Sequence, residues 1–262
     1  MSKMHGRPIW YELAGTPAQR KQIEDFYSQL LGWEVQDSGM EGFSYRLARL
    51  KGDMVAGMMD MPAEAGDMPP FWMTYFAVEN ADVAASVAIK AGASLHRAPA
   101  DIPGTGRFAI LVDPQGAAFG ILQPEEMKDE PAGTAFDQDK PGHGHWHELM
   151  TSDPQAALTF YGDLLGWSKS IEVPMGSEGI YHLFSQDGQD IGGMQGMAHA
   201  SHPMWLTYFG VNSVRNAVDR ISALDGTVIH GPQEVPGGGF IAIALDPQGA
   251  MFAIVGPESL IE

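Results

Sequence analysis

The chain has 262 residues, 44% of them hydrophobic and 18% charged, which is enough for one large core or two of ordinary size. Its 15 basic and 33 acidic side chains give a formal charge of −18, which repels both a phosphate backbone and an anionic lipid surface and excludes them as expected partners. The absence of cysteine removes disulfides, thiolate nucleophiles and thiolate metal sites, and with no apolar run of bilayer length and no charged-then-apolar leader the expectation is a soluble cytoplasmic protein.

Along the chain, PIWYELA (8 to 14) reads as a short strand. Residues 17 to 31 follow as an amphipathic helix with Ile23, Phe26, Tyr27, Leu30 and Leu31 on one stripe and Gly32 as its stop. Strands are expected near 33 to 37, 43 to 50 and 53 to 59, the last two split by the hairpin signal LKGD. A second unit begins at WMTYFAV, takes a helix over 81 to 91 that ends at Gly92, and closes with strands near 94 to 97, 106 to 112 and 117 to 123. In the Asp-Pro-Gln-Gly turn joining the last two, proline holds the second position, where its fixed φ fits, and glycine the fourth. Each unit is a βαβββ module.

The phrases then recur. WYEL at 10 to 13 returns as WHEL at 146 to 149, FYSQLLGWEV at 26 to 35 as FYGDLLGWSK at 160 to 169, and FWMTYFAV at 71 to 78 as MWLTYFGV at 204 to 211. LVDPQGAAFGIL at 111 to 122 is answered by LDPQGAMFAIV at 245 to 255. The chain is therefore a tandem repeat of four βαβββ modules in the α+β class. The expected domains are residues 7–124 and 145–258, with 125–144, rich in Pro, Gly and charge, as the connector.

In combination, the FY…LLGW helix and the closing DP.G hairpin resemble the vicinal oxygen chelate superfamily, which includes glyoxalase I, bleomycin-resistance proteins, fosfomycin-resistance enzymes and extradiol dioxygenases. The resemblance spans nearly all of the chain outside the connector and is closest to the tandem glyoxalase and bleomycin-resistance branch. It implies two glyoxalase-like domains whose curled sheets form a cleft, with helices on the convex side. In metal-dependent members, side chains of His, Gln or Glu on the first and last strands hold a divalent ion that two neighbouring substrate oxygens chelate. Carried over residue by residue, the last-strand ligand falls on Gly120 and Ala253, its first-module counterpart on Gly57 and Gly193, and the first-strand ligand on Trp10 and Trp146. The fourth lies near Trp72 or Met73, and near Trp205 or Leu206. None of these is a plausible ligand, so no metal or other cofactor is expected.

Side chains alternate across a strand, so Glu12 shares the face of Trp10, and Glu148 that of Trp146. Met73 and Tyr75, with Leu206 and Tyr208, are expected on the cleft side, and Thr74 and Phe76 beneath the helix. Glu12 and Glu148 are the candidate general acids or bases, with a structural carboxylate as the plainer reading. Trp10, Trp72, Tyr75, Trp146, Trp205 and Tyr208 are the candidate ligand-binding residues, with core packing as their plainer reading. The histidines of GHGHWHEL (His143, His145 and His147) alternate, but the first copy offers only RPIWYEL. His96 and His230 repeat outside the expected cleft floor, and the PGTG and PGGGF stretches enter strands, as rim loops would.

The expected function is binding of a small, partly apolar or aromatic molecule in a metal-free cleft, by sequestration or by acid-base chemistry. The alternative is a metal-dependent lyase, isomerase or dioxygenase holding one divalent ion such as Fe, Mn, Ni or Zn, with Glu12, Glu148, His147 and His182 as ligands. A third reading gives the duplication an assembly role. The protein is expected as a monomer or homodimer.

Overall fold

The computed structural model describes residues 4–40, 42, 44–61, 66–125, 133–197 and 200–259. In chain order the elements of the first copy are β1 (Pro8–Gly15), α1 (Arg20–Leu31), β2 (Glu34–Asp37), β3 (Tyr45–Leu50), β4 (Asp53–Asp60), β5 (Phe71–Ala77), α2 (Ala81–Lys90), β6 (Ser94–Ile102), β7 (Gly106–Val112) and β8 (Ala118–Pro124). The second copy repeats them as β9 (Gly144–Met150), α3 (Pro154–Leu165), β10 (Ser168–Pro174), β11 (Ile180–Gln186), β12 (Gln189–Gln195), β13 (Met204–Gly210), α4 (Val214–Ala223), β14 (Thr227–Glu234), β15 (Phe240–Leu245) and β16 (Met251–Gly256). All four βαβββ modules of the α+β reading are present. Strand β6 runs five residues past the expected end at 97. It is the terminal strand of its run and carries two register shifts, which is how it accommodates Pro99. No helix among the described residues is long and apolar enough to cross a membrane.

Two compact units divide the chain, and each draws on both copies. One comprises Met1–Ile9, Met73–Gly133 and His147–Leu206; the other comprises Trp10–Trp72, Thr134–Trp146 and Thr207–Glu262. The first unit thus joins the second module of copy one to the first module of copy two, with strand runs β5-β8-β7-β6 and β10-β11-β12-β9. The second unit holds the remaining pair, with runs β2-β3-β4-β1 and β13-β16-β15-β14.

The helix stripes explain this grouping. In the second unit, the apolar stripe of α1 is buried as the 3.6-residue period demands, and Phe26 and Tyr27 meet Phe252 of β16 edge-on at 5.8 and 5.6 Å. Tyr27 stacks on Trp33 at 5.5 Å, and Trp72 and Phe209 complete the cluster. The first unit builds the same cluster from Phe160, Tyr161, Trp167, Trp205, Phe76 and Phe119.

Each cluster has a polar centre. The Tyr27 hydroxyl donates to Asp246 Oδ2 at 3.1 Å and accepts the Trp72 indole N–H at 2.9 Å. The Tyr161 hydroxyl donates to Asp113 Oδ2 at 2.9 Å and accepts from Trp205 at 3.0 Å. Each aspartate is the first residue of an Asp-Pro-Gln-Gly turn, and its other oxygen accepts backbone N–H bonds from that turn: Gln115, Gly116 and Ala117 in one unit, Gln248 and Ala250 in the other. Burial raises both carboxyls above the usual aspartate value, against the pull of those hydrogen bonds, and burial likewise drives both phenols well up.

Residues 134–144, within the expected connector, belong to the body of the second unit. Ala135 and Phe136 are buried, Phe136 bridges Gly144, and the Gly142 carbonyl accepts the Trp33 indole N–H at 2.7 Å. In the first unit the Gly6 carbonyl receives Trp167 in the same way at 2.7 Å. Gly142 and Gly6 sit at φ of 83° and 78°, and a Cβ on either would collide with the carbonyl of Leu31 or Leu165.

Replacing Tyr27 by Phe should cost about 1–3 kcal/mol in urea unfolding, because a buried carboxyl and a buried indole N–H lose one partner together; an unchanged midpoint would remove the polar centre from the stability argument. The raised Asp246 carboxyl also sets a sign. The folded chain holds that proton more tightly than the unfolded chain, so the associated stabilisation is complete below the ordinary aspartate value and is lost as pH rises through the folded-state value. Unfolding at several pH values should therefore show a shallower decline with rising pH in Asp246→Asn than in the native chain.

Candidate functional site

The face of β1 away from the aromatic core carries the sequence-predicted residues of the first copy. Tyr11 and Leu13 are buried toward the core, where Tyr11 meets Phe209 at 5.7 Å, so alternation turns Trp10 and Glu12 to the opposite face, where both are half-buried. The structure joins them through a third residue. Trp10 donates its indole N–H to the Tyr45 hydroxyl at 2.9 Å, and that hydroxyl donates to Glu12 Oε2 at 2.9 Å. Tyr45 stands on β3 two positions before Leu47, the register partner of Gly57, and is itself half-buried.

Sequence reasoning missed Tyr45, although the signal was present. Tyr45 and Tyr181 are repeat partners 136 residues apart (181 − 45), the same offset as Gly57 and Gly193 (193 − 57). In the first unit the Tyr181 ring lies over Gly193: a Cβ there would come within 2.1 Å of Tyr181 Cε1. A Cβ on Gly57 would come within 1.9 Å of Tyr45 Oη and 2.4 Å of Cζ. Tyr75 covers Gly120, its register partner, with 2.1 Å to Cδ1. Three of the positions that the resemblance assigns to metal ligands are therefore glycines beneath tyrosine rings, and the last-strand position of the second copy, Ala253, pairs with Tyr208.

Other candidates stand elsewhere than expected. Trp72 and Trp205 belong to the helix-side cores described above, 8% and 4% exposed, and do not join Trp10 on the open face; they share strand parity with Thr74 and Phe76 and with Thr207 and Phe209. Tyr75 and Tyr208 have the opposite parity, as expected, but are 4% and 2% exposed, and Tyr75 tilts against Phe108 at 6.4 Å. Glu148 is buried where Glu12 is half-buried, and Trp146 is half-buried.

The histidines do not converge. His143 Nε2 lies 3.2 Å from Asp53 Oδ2, and His147 Nδ1 donates to the Ile191 carbonyl at 2.9 Å from a fully buried position. Burial holds His145 below the usual imidazole value, against the opposing pull of Asp139 and Asp137. His182, the repeat partner of Arg46, pairs with Glu172 at 3.1 Å. Among the described residues, no group of three or more His, Asp or Glu is placed to hold a metal ion. The residues present do not fit the superfamily's cation: a ligand side chain at 57, 193 or 120 would have to begin in space that a tyrosine fills.

Comparison with known proteins matches residues 21–121 and 142–254 to the Glyoxalase/Bleomycin resistance protein/Dioxygenase superfamily. The provisionally named glyoxylase CFP32 of Mycobacterium bovis is 31% identical over 257 residues, covering 96% of this chain and 95% of that protein. The anthracycline biosynthesis protein DnrV of Streptomyces peucetius is 32% identical over 269 residues, covering 95% and 93%. Among solved structures, the Mn(II)-bound glyoxalase from Novosphingobium aromaticivorans superposes with a TM-score of 0.65 at 15% identity, over 96% of this chain and 81% of that one.

The ring over Gly120 makes a direct test possible. Gly120→Ala should destabilise by about 1–3 kcal/mol, since the clash is with the base of the Tyr75 ring and the core cannot yield freely. Adding Tyr75→Leu should recover part of that loss in a double-mutant cycle; full additivity would mean that the two positions do not compete for one volume.

Proposed function

From the premise that the chain belongs to the Glyoxalase/Bleomycin resistance protein/Dioxygenase superfamily, we propose that it binds a small, partly apolar or aromatic molecule without a metal ion, on the open face around Trp10, Tyr45 and Glu12. The observation that carries this reading is the exchange at the ligand positions, where a tyrosine ring over bare backbone takes the volume that a ligand side chain and its cation would need. The face offers an indole for stacking and one carboxylate held in place by a phenol, the usual make-up of a small-molecule site.

Either of two outcomes follows from that geometry. The face can sequester its ligand through apolar and stacking contact, or Glu12 can exchange a proton with it, with Tyr45 fixing the carboxylate in one orientation. Relatives about one-third identical and named for anthracycline biosynthesis support a fused-ring aromatic ligand. The protein acts in the cytoplasm as a monomer or homodimer.

Elemental analysis of untagged protein, with a thermal-shift screen after chelator treatment, tests the proposal. An aromatic ligand at a hundred times its dissociation constant should stabilise the chelated protein by roughly 2.7 kcal/mol. Stoichiometric Fe, Mn, Ni or Zn, with ligand stabilisation lost on chelation, would transfer the assignment to a metal-dependent lyase or dioxygenase.

A further inference from the structure

Strands β5 to β8 of the first unit differ in charge from the rest of the chain. In a sequence with 33 acidic and 15 basic side chains they contain a single acidic residue, Asp101, and Arg107 holds it at 2.8 Å while also taking Asp82. The other arginine of these strands, Arg97 on β6, is exposed, with its guanidinium over the Phe108 ring, 4.9 Å from the centroid. Arg20, Arg46, Arg107 and Arg215 each hold a carboxylate. Arg97 pairs with no carboxylate and donates no hydrogen bond among the described residues, so its fork of N–H donors faces outward unspent. Phe108 fixes the face on which it stands. That ring tilts against Tyr75 at 6.4 Å, and Tyr75 covers Gly120, on the side of the sheet turned away from the helices. Alternation adds half-buried Ile110 to the same side, while Ala109 and Leu111 are fully buried on the other. The matching module of the second copy shows that the fold does not require the pair. Strand register sets His230 opposite Ile243 as it sets Arg97 opposite Ile110, and Ile241 opposite Gln233 as Phe108 opposite Ala100. The same strands therefore pair with an imidazole and an isoleucine at these two places.

We infer that this face of the first unit is a second ligand site, which takes an organic carboxylate with an apolar body. The planar guanidinium of Arg97 forks the two carboxylate oxygens, a geometry that its N–H groups match in pairs. Phe108 holds the guanidinium over its ring by cation–π attraction, so less side-chain freedom is lost when the anion arrives. The ligand's apolar body lies along Ile110, and no carboxylate of β5 to β8 opposes its charge, because Asp101 is already bound to Arg107. The overall charge of −18 repels an anion at a distance, so the affinity comes from this local contact. The site goes beyond the Trp10, Tyr45 and Glu12 face, which lies on other strands and carries a carboxylate where this one carries a cation.

The test titrates the full chain calorimetrically at neutral pH with 2-naphthoate, 2-naphthol and acetate. Naphthoate should bind the native chain and lose roughly ten- to a hundred-fold in Arg97→Gln, the size of a hydrogen bond to a charged group. Naphthol, with the same rings and no charge, should change less than about twofold, the margin within which a surface substitution leaves binding alone. Arg97→Lys keeps the charge without the fork and should fall between the two. Acetate should bind far more weakly than naphthoate, since it lacks the body that Ile110 meets. Naphthoate that fails to bind the native chain, or that binds native and Arg97→Gln equally, would overturn the inference. An equal loss of naphthoate and naphthol in Arg97→Gln would overturn it too, because altered packing rather than charge would then be the cause. Acetate matching naphthoate would overturn the apolar body. Naphthol binding that persists through any of these results leaves the Trp10 face standing, so the two sites fail separately. Should Arg97→Gln not fold by circular dichroism, Arg97→Lys decides: a loss confined to naphthoate supports the site, and unchanged affinity overturns it.

Discussion

A buried phenol shared between an indole and a carboxylate is the constraint on which each compact unit depends. Tyr27 reaches from a helix of one copy to a turn of the other, and Tyr161 does the same in reverse. Either aspartate, stripped from water, would be costly without partners. Each is given a phenol and a ring of backbone N–H groups, so the turn, the helix and the strand bearing the tryptophan are fixed by one set of bonds. The core aromatics then pack around a polar point that admits a single register. This is why the FY pair and the Asp-Pro-Gln-Gly turn recur together in the sequence: each is half of a bond whose other half lies in the other copy.

That division marks what the sequence could disclose. The modules were legible because helix stripes with period 3.6 and strands bounded by turns are local signals, and α1 buries the five residues its pattern names. The grouping of modules into units was not, because nothing local says which turn Tyr27 will meet. Trp72 and Trp205 show the same limit. Both lie near a position that carries a ligand in metal-dependent relatives, and the resemblance drew them toward the open face, while strand parity, already applied to Thr74 and Phe76, assigns them to the helix side. Tyr45 was hidden for a different reason: its importance comes from the glycine across the strand pair, and a glycine has no pattern of its own to point to what covers it.

The tyrosine-over-glycine arrangement also shows how these strands stay packed at positions where the resemblance would place a ligand side chain. Removing a ligand side chain from a packed strand leaves a void, and voids destabilise in proportion to their volume. At Gly57, Gly193 and Gly120 the void is filled by a ring from an adjacent strand, and the ring in turn forbids any side chain from returning. Ring and glycine are therefore matched: a single change of the glycine to glutamate meets the tyrosine, and a single loss of the tyrosine opens a cavity over bare backbone.

The two copies do not give their matching carboxylates equal surroundings. Glu12 lies half-buried within a hydrogen-bonded trio, while Glu148, its repeat partner, is 5% exposed. The repeat partners Arg46 and His182 likewise have different partners, Glu24 and Asp37 in one case and Glu172 in the other. A carboxylate withdrawn from solvent meets a ligand only if the ligand is drawn in with it, whereas one at a half-open face meets it at little cost in desolvation. Duplication permits this kind of difference: both copies contribute a tyrosine and an aspartate to the shared framework, while the faces turned away from it are free to differ. Under the proposed function, recognition falls first to Trp10, Tyr45 and Glu12, which are joined by hydrogen bonds at a half-buried face, whereas Glu148 is buried within its own unit.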